Sequence, residues 1–238
     1  MGATRLPGKV LKEVGNTSIL EFQIDRIRQA RLVDEVVVAT SIQPQDQEIV
    51  ECCKRLGINC FTGPEDDVLT RYHDCAVNSS ASTVVRLTAD CPFTDPVVID
   101  QVITLRQESG ADFAANTVPP ETSYWPDGSD VEVFSMQALL VAHREAGTYE
   151  QREHVTFFFW KDHDRSRFRT VQLPNLKDWS TYRFTLDYPE DYEVVVQIFA
   201  ELKRRGQFGY VHQIIEVLED HPEIAALNSE HYFGIGWQ

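Results

Sequence analysis

An α/β fold, with a mostly parallel central sheet and helices on both faces, is what this sequence predicts. The main observation is alternation: short β-branched runs are separated by amphipathic stretches through most of the first half of the chain. The second is size, since 238 residues suit one α/β domain with a substantial core. The third is composition: 42% hydrophobic and 25% charged residues describe an ordinary globular protein.

The elements follow in order. Ile19, Phe22, Ile24, Ile27 and Ala30 recur at helical spacing. Residues 35–40 form an apolar, β-branched run and predict a buried strand. Residues 45–56 predict a helix stopped by Gly57. A short strand over 58–61, a helix over 68–77 and a strand over 83–87 continue the rhythm. Pro96 opens a helix whose apolar side carries Val97, Val98, Ile99, Val102, Ile103 and Leu105. Residues 111–130 hold Pro119, Pro120, Pro126 and Gly128 and predict a loop or lid. A strand over 130–134, helices over 135–145 and 152–160, and strands over 168–173 and 182–186 come next. Helices over 189–204 and 211–218 close the pattern near Pro222. No repeat or linker is visible. One domain over 1–238, with an irregular lid or dimerisation lobe around 111–175, is the economical reading.

Composition excludes several classes of function. A net charge of −15 argues against a nucleic-acid partner, which needs a basic face. No apolar run approaches the roughly 18–20 residues of a membrane span, and no signal-peptide pattern is visible. The five cysteines are odd in number and form no C-x-x-C pair, which fits reduced thiols in a cytoplasmic protein.

Chemistry concentrates in a few segments. Arg5-Leu6-Pro7-Gly8-Lys9 joins a planar cation, a mobile cation, a rigid proline and a glycine. Gly2 and Gly8 let backbone N–H groups approach a ligand closely. This loop suits a nucleoside triphosphate. Asp90 follows the strand over 83–87, and Asp187 follows the strand over 182–186; carboxyl ends of parallel strands are where such sheets place ligands. Each aspartate alone could be a turn or helix-capping residue. Beside a phosphate loop the pair fits Mg²⁺, which takes one or two carboxylates and completes its shell with water and phosphate. Period-2 alternation puts Asp130 and Glu132 on one face, for sugar hydroxyls or for solvent. Arg71 meets either a nucleotide or Asp67, with the internal pair preferred. His154 is a sugar ligand or a hydrogen-bonded structural histidine, and Tyr124-Trp125 a sugar platform or a dimer contact.

Taken together, these segments resemble the sugar cytidylyltransferases, the acylneuraminate and KDO type, and most closely the branch named after spore-coat polysaccharide synthesis. The match runs through RLPGKVL at 5–11, G-P-E-D-D-V-L-T-R-Y at 63–72, R-L-T-A-D-C-P at 86–92, P-D-G-S-D-V-E-V-F at 126–134, R-E-H-V-T at 152–156 and L-D-Y-P-E-D at 186–191. The resemblance implies a Rossmann-like nucleotide-diphospho-sugar transferase fold, Mg²⁺ dependence and transfer of CMP from CTP to a small acidic sugar of the nonulosonic type. It implies Gly2, Ala3, Arg5, Lys9, Arg71 and Asp90 at the nucleotide, Arg5 and Lys9 acting in catalysis, and Asp90 and Asp187 on the metal. A homodimer is implied, with the aromatics of 149–160 as one candidate surface. In the family the loop continues a central strand and an arginine, as in R-x-x-S-x-R-L-P-G-K. That arginine falls one residue before Met1, and Ala3 stands where serine is usual. The expectation is therefore that the first strand is missing from this sheet, leaving an unfilled slot, a substitute strand or a disordered start. Two other readings stay open: another triphosphate with a sugar phosphate, and a non-catalytic nucleotide-binding subunit.

Overall fold

The computed structural model describes residues 5–161 and 167–231. A 3₁₀ turn at Lys9–Leu11 leads into a two-stranded antiparallel hairpin, β1 (Glu13–Val14) and β2 (Thr17–Ser18), and then α1 (Ile19–Ile27). Ser18 caps α1 by accepting the Glu21 N–H at 3.2 Å. The next elements are β3 (Val37–Ser41), α2 (Gln47–Leu56), β4 (Asn59–Gly63), α3 (Val68–Asn78), β5 (Thr83–Arg86) and α4 (Pro96–Ser109). These lie within a few residues of the expected spans, and the starts of α3 and α4 are fixed by local caps. Asp67 accepts from Thr70 N at 2.9 Å, and Asp95 accepts from Val97 N with Pro96 at the first position.

Beyond α4 the sequence pattern is less faithful. Residues 111–130 contain β6 (Phe113–Ala115), a fully buried strand, so the expected lid is a packed segment of the domain. It is followed by β7 (Glu132–Ser135), α5 (Met136–Glu145), α6 (Tyr149–Glu153), α7 (Phe157–Trp160) and β8 (Thr170–Gln172). The single helix expected over 152–160 is two short ones, broken at 154–156, where Val155 takes a positive φ of 51°. The last elements among the described residues are α8 (Pro189–Arg205), α9 (Val211–Asp220) and α10 (Pro222–Ala226). The strand expected over 182–186 is replaced by one isolated bridge, Asp127 to Arg183.

The sheet is mixed rather than mostly parallel. β3 and β4 pair in parallel as one unit. The other unit has the order β5-β7-β6-β8, antiparallel at β5/β7 and β6/β7 and parallel at β6/β8. One apolar core packs α1, α4, α8 and α9 on one face of the sheet; a second packs α3, α5 and α7 on the other. Of the aromatics of 149–160, Phe157, Phe158, Phe159 and Trp160 are buried in that second core, whereas Tyr149 is exposed.

Among the described residues, β3 pairs only with β4 and β5 only with β7. Between their open edges lies a cleft of about 810 Å³, roofed by Leu20, Ile24 and Ile27 of α1 and floored by Tyr72 and Ala76 of α3. Hence Val37, Val38 and Ala39, and all of β5, are only half-buried, whereas Phe113–Ala115 and Glu132–Phe134 are buried.

Candidate active site

Leu6, buried in the core, anchors the loop that carries Arg5 and Lys9. Gly8 takes a φ of 67° where the chain turns into the 3₁₀ helix, a conformation a side chain would strain. The turn aims Lys9 across the carboxyl end of β5. Its Nζ donates to Asp90 Oδ2 at 3.3 Å, Asp187 Oδ1 at 2.9 Å and the Leu186 carbonyl at 2.7 Å. Two aspartates 97 residues apart in sequence therefore flank one ammonium nitrogen.

Backbone pairing brings them together. Leu186 N donates to the Asp90 carbonyl at 2.8 Å, and Thr185 Oγ1 donates to the same oxygen at 3.0 Å. Gly128 makes room on the other side of this segment. A Cβ there would lie 2.5 Å from Thr185 N and 2.7 Å from the Phe184 carbonyl carbon. The glycine of the P-D-G-S-D segment is thus required by a close backbone approach.

Beneath the pair sits Arg183, whose side chain is 6% exposed. Its Nη2 donates to Asp187 Oδ2 at 3.0 Å and to Asp191 Oδ2 at 2.9 Å, and its Nη1 is ion-paired with Asp127. Asp191 also accepts the Asp187 and Tyr188 N–H groups, each at 2.9 Å, and Asn228 Nδ2 at 2.8 Å. Asp187 therefore turns one oxygen to Lys9 and the other to a fixed guanidinium.

The electrostatics follow from burial against pairing. Burial pushes the Asp90 carboxyl up, but the Lys9 ammonium and hydrogen bonds from Thr88 and Lys9 hold it below the usual carboxylate range. Burial likewise pushes Lys9 down, and the two aspartates outweigh it, so the ammonium stays charged. Burial lifts Asp130 above the usual range, and the nearby Glu132 and Asp90 carboxylates add to the lift, against hydrogen bonds from Thr117 and Gly128. Burial raises the Cys91 thiol as well.

Gly2 and Ala3 lie outside the described residues. Arg5 places its guanidinium 4.9 Å from the centre of the Tyr188 ring, whose own plane stacks on His231 at 3.8 Å. Arg71 donates to the Pro64 carbonyl at 2.7 Å, and it is Arg152 that meets the Asp67 carboxylate, at 3.3 Å. The preferred Arg71–Asp67 side-chain pair is thus corrected: Asp67 is turned to its own helix N-terminus. Asp130 lies before β7 and accepts from Thr117 Oγ1 at 2.6 Å and Gly128 N at 3.0 Å, within 3.5 Å of Cys91 Sγ. Glu132 is not on a solvated edge. It is buried, ion-paired with Arg86 across the β5/β7 ladder, and accepts Thr156 Oγ1 at 2.6 Å. His154 stacks on Phe157 at 4.3 Å beside the cleft, rather than at the acid pair. Trp125 is core and donates to the Leu173 carbonyl, leaving Tyr124 exposed. A further groove of about 930 Å³ runs beside α4 past Val97, Asp100 and Tyr210 and includes none of these groups.

The sequence reading missed Arg183, Asp191, Asp127 and Tyr188. An arginine four residues before Asp187, and a second aspartate four after it, was the available signal.

The donor set fits a hard divalent cation. A cation already sits among two carboxylate oxygens and a carbonyl, the oxygen-only environment Mg²⁺ prefers. Among the described residues no group of three or more His, Cys, Asp or Glu could hold a metal. Remaining ligands would come from water and phosphate.

The chain is similar to known proteins in sequence and in fold. A family model described as cytidylyltransferase matches residues 1–217. The spore coat polysaccharide biosynthesis protein SpsF of Bacillus subtilis is 30% identical over 230 residues, covering 94% of this chain and 93% of that protein. An uncharacterized protein of Methanocaldococcus jannaschii is 31% identical, covering 96% of this chain and 90% of its own length. The solved structure of a cytidylyltransferase from Leptospira borgpetersenii superposes with a TM-score of 0.85 at 31% identity, covering 94% of this chain and 92% of that one. A CMP:2-keto-3-deoxy-manno-octonic acid synthetase solved with CTP shares the fold, at a TM-score of 0.60 and 16% identity, covering 84% of this chain and 95% of that one.

Proposed function

The chain belongs to the cytidylyltransferase family, and we propose that it transfers CMP from CTP to a hydroxyl of a small acidic sugar, releasing pyrophosphate, in the building of a surface polysaccharide. One observation carries this reading: two carboxylates from separate segments share a single cation position beside a loop bearing Arg5 and Lys9.

In the reaction the sugar oxygen bonds to the α-phosphorus while the bond from that phosphorus to the bridging oxygen breaks. The hydroxyl proton leaves to solvent. Asp90 and Asp187 would hold Mg²⁺, which when bound neutralises charge on the reacting phosphate. Lys9 sits within reach of the same place and would move onto the β- and γ-phosphates as charge builds on the leaving pyrophosphate. Arg5 would meet the triphosphate from the Tyr188 side. Arg183 keeps the Asp187 carboxylate in one orientation through its second oxygen, so positioning supplies much of the rate. The family relatives whose names specify 3-deoxy-manno-octulosonate support an acidic acceptor.

Pyrophosphate release with CTP, UTP, GTP and ATP, each with a panel of acidic sugars and sugar phosphates and with Mg²⁺ added or chelated, tests the reading. Turnover is expected with CTP and an acidic sugar, and Asp187→Asn is expected to lower it at least about 100-fold. Preference for another triphosphate with a sugar phosphate, or binding without turnover, would overturn it.

A further inference from the structure

The residue after Asp187 is Tyr188, and its ring joins the Arg5 loop to a turn some 40 residues further along the chain. Among the described residues Lys9 pairs with two carboxylates, whereas Arg5, which is exposed, pairs with none. The Arg5 guanidinium lies 4.9 Å from the centre of the Tyr188 ring instead. The His231 imidazole stacks on the same ring at 3.8 Å, tilted by only 10°.

Both partners of that stack are held from below. The His231 N–H donates to the Asn228 carbonyl at 3.0 Å and closes a turn. Asn228 is buried, and its Nδ2 donates to Asp191 Oδ1 at 2.8 Å and to the Arg183 carbonyl at 3.3 Å. The other oxygen of Asp191 accepts the Tyr188 N–H at 2.9 Å. One buried carboxylate therefore fixes the backbone of Tyr188 and also the turn that lays His231 on its ring.

A guanidinium over an aromatic ring is attracted by the ring's negative face, while its N–H groups lie in its own plane and stay open to an anion. Ordering a long side chain before the ligand arrives removes part of the cost of binding. That benefit goes only to ligands that reach Arg5.

We propose that Tyr188, stacked on His231 and anchored through Asn228, is a platform that holds Arg5 ready for the outer phosphates of a triphosphate. Tyr188, Asn228 and His231 are positioning residues, acting through Arg5. Their role rests on the proposed reading of Arg5 as a triphosphate ligand, and it gives the turn at 228–231 a part in selecting a triphosphate over a monophosphate. Stacking needs the ring and not the phenol hydroxyl, so phenylalanine should serve at position 188 and leucine should not.

Two measurements test this. In ¹⁵N-labelled protein the Arg5 Nε–H signal, assigned by its loss in Arg5→Lys, should be displaced by the Tyr188 ring current. Tyr188→Leu and His231→Ala should return it towards the position of an unstacked arginine, and Tyr188→Phe should keep it. Calorimetric titration with inorganic tripolyphosphate, CTP and CMP, each with Mg²⁺, then reads the consequence. Tyr188→Leu and His231→Ala are expected to weaken tripolyphosphate and CTP by about fivefold, with CMP changed by less than about twofold and Tyr188→Phe like the parent. Arg5→Ala should cost about tenfold in the parent and less than about twofold on top of Tyr188→Leu, because the two residues act as a unit. If Tyr188→Leu does not fold, His231→Ala carries the same comparisons. Equal losses for CMP and CTP, which a merely structural role would give, overturn the proposal. So do additive effects of Arg5 and the platform, an Arg5 signal unmoved by every variant, or a parent that binds none of the triphosphates. Failure of the proposed reaction reads differently: tripolyphosphate carries no base, so a chain that prefers another triphosphate, or binds without turnover, still shows these losses.

Discussion

Two clusters of carboxylates around one cation lie side by side in this protein and behave differently. At Lys9 the carboxylates of Asp90 and Asp187 have side chains 30% and 29% exposed, and the cation is a single ammonium on a flexible stem. At Arg183 the side chains of Asp127 and Asp191 are 11% and 0% exposed, and the cation is a planar fork satisfied on several nitrogens at once. Asp187 belongs to both. The chemistry is the same, but solvent access differs: in the proposed reaction the first cluster would exchange its cation for a metal or a phosphate, whereas the second cannot lose its own without leaving buried charge unpaired.

The sharpest way to break this contrast is Arg183→Met. It leaves Asp191 and Asp127 buried without their cation, at a cost of about 3–5 kcal/mol, or a melting temperature lower by roughly 10 °C. Arg183→Lys should recover little of it, because an ammonium cannot replace the fork. Melting of Arg183→Met within about 2 °C of the parent would show that the lower cluster is not fixed.

Lys9→Met probes the exchangeable cluster. Its melting temperature should hardly move, since a part-exposed pair contributes little. Removing the resident cation should tighten Mn²⁺ binding in the absence of nucleotide by about tenfold, measured by electron paramagnetic resonance; such a change is about 1.4 kcal/mol. The same variant should lose affinity for CTP more than for CMP. Equal losses for the two nucleotides, or unchanged Mn²⁺ affinity, would contradict exchange at this position.

The smallest effects appear in the pH dependence of stability. Burial alone would raise Asp191, but Arg183, Asn228 and the Asp187 N–H hold it below the usual carboxylate range. Its contribution is complete above the unfolded value near about 3.9 and is lost as pH falls through the lower folded value. Asp191→Asn should therefore flatten the acid limb of a melting-temperature profile. Asp130 is raised, by burial first, so the folded state holds its proton longer and stability declines as pH rises past the ordinary carboxylate range. Asp130→Asn should gain more at pH 7 than at pH 4; equal shifts at both would remove Asp130 from this account.

Much of the first half of the fold was legible because its signals are local. Ser18, Asp67 and Asp95 cap helices within two or three residues of themselves, and Gly57 and Gly110 end helices with φ of 65° and 63°. The second half depends on partners far away in sequence. Residues 182–186 have strand composition, yet they only bridge Asp127 and bond the Asp90 carbonyl. The strand at Phe113–Ala115 was hidden in a segment punctuated by proline, and the aromatics of 157–160 were drawn into the core.

The sequence by itself determined the α/β class, the loop of Arg5 and Lys9 and the two acids that follow strand-like runs, because residue type, spacing and local capping are properties of short windows. Tertiary structure alone decided that Asp90 and Asp187 face one nitrogen, that Glu132 is taken by Arg86, that Arg183 and Asp191 both hold Asp187, and that β3 and β5 leave a cleft between them. Most of those outcomes rest on which segments pair across separations of 46 to 178 residues, and on where burial makes an unpaired charge too costly to keep. No local window of sequence contains either quantity.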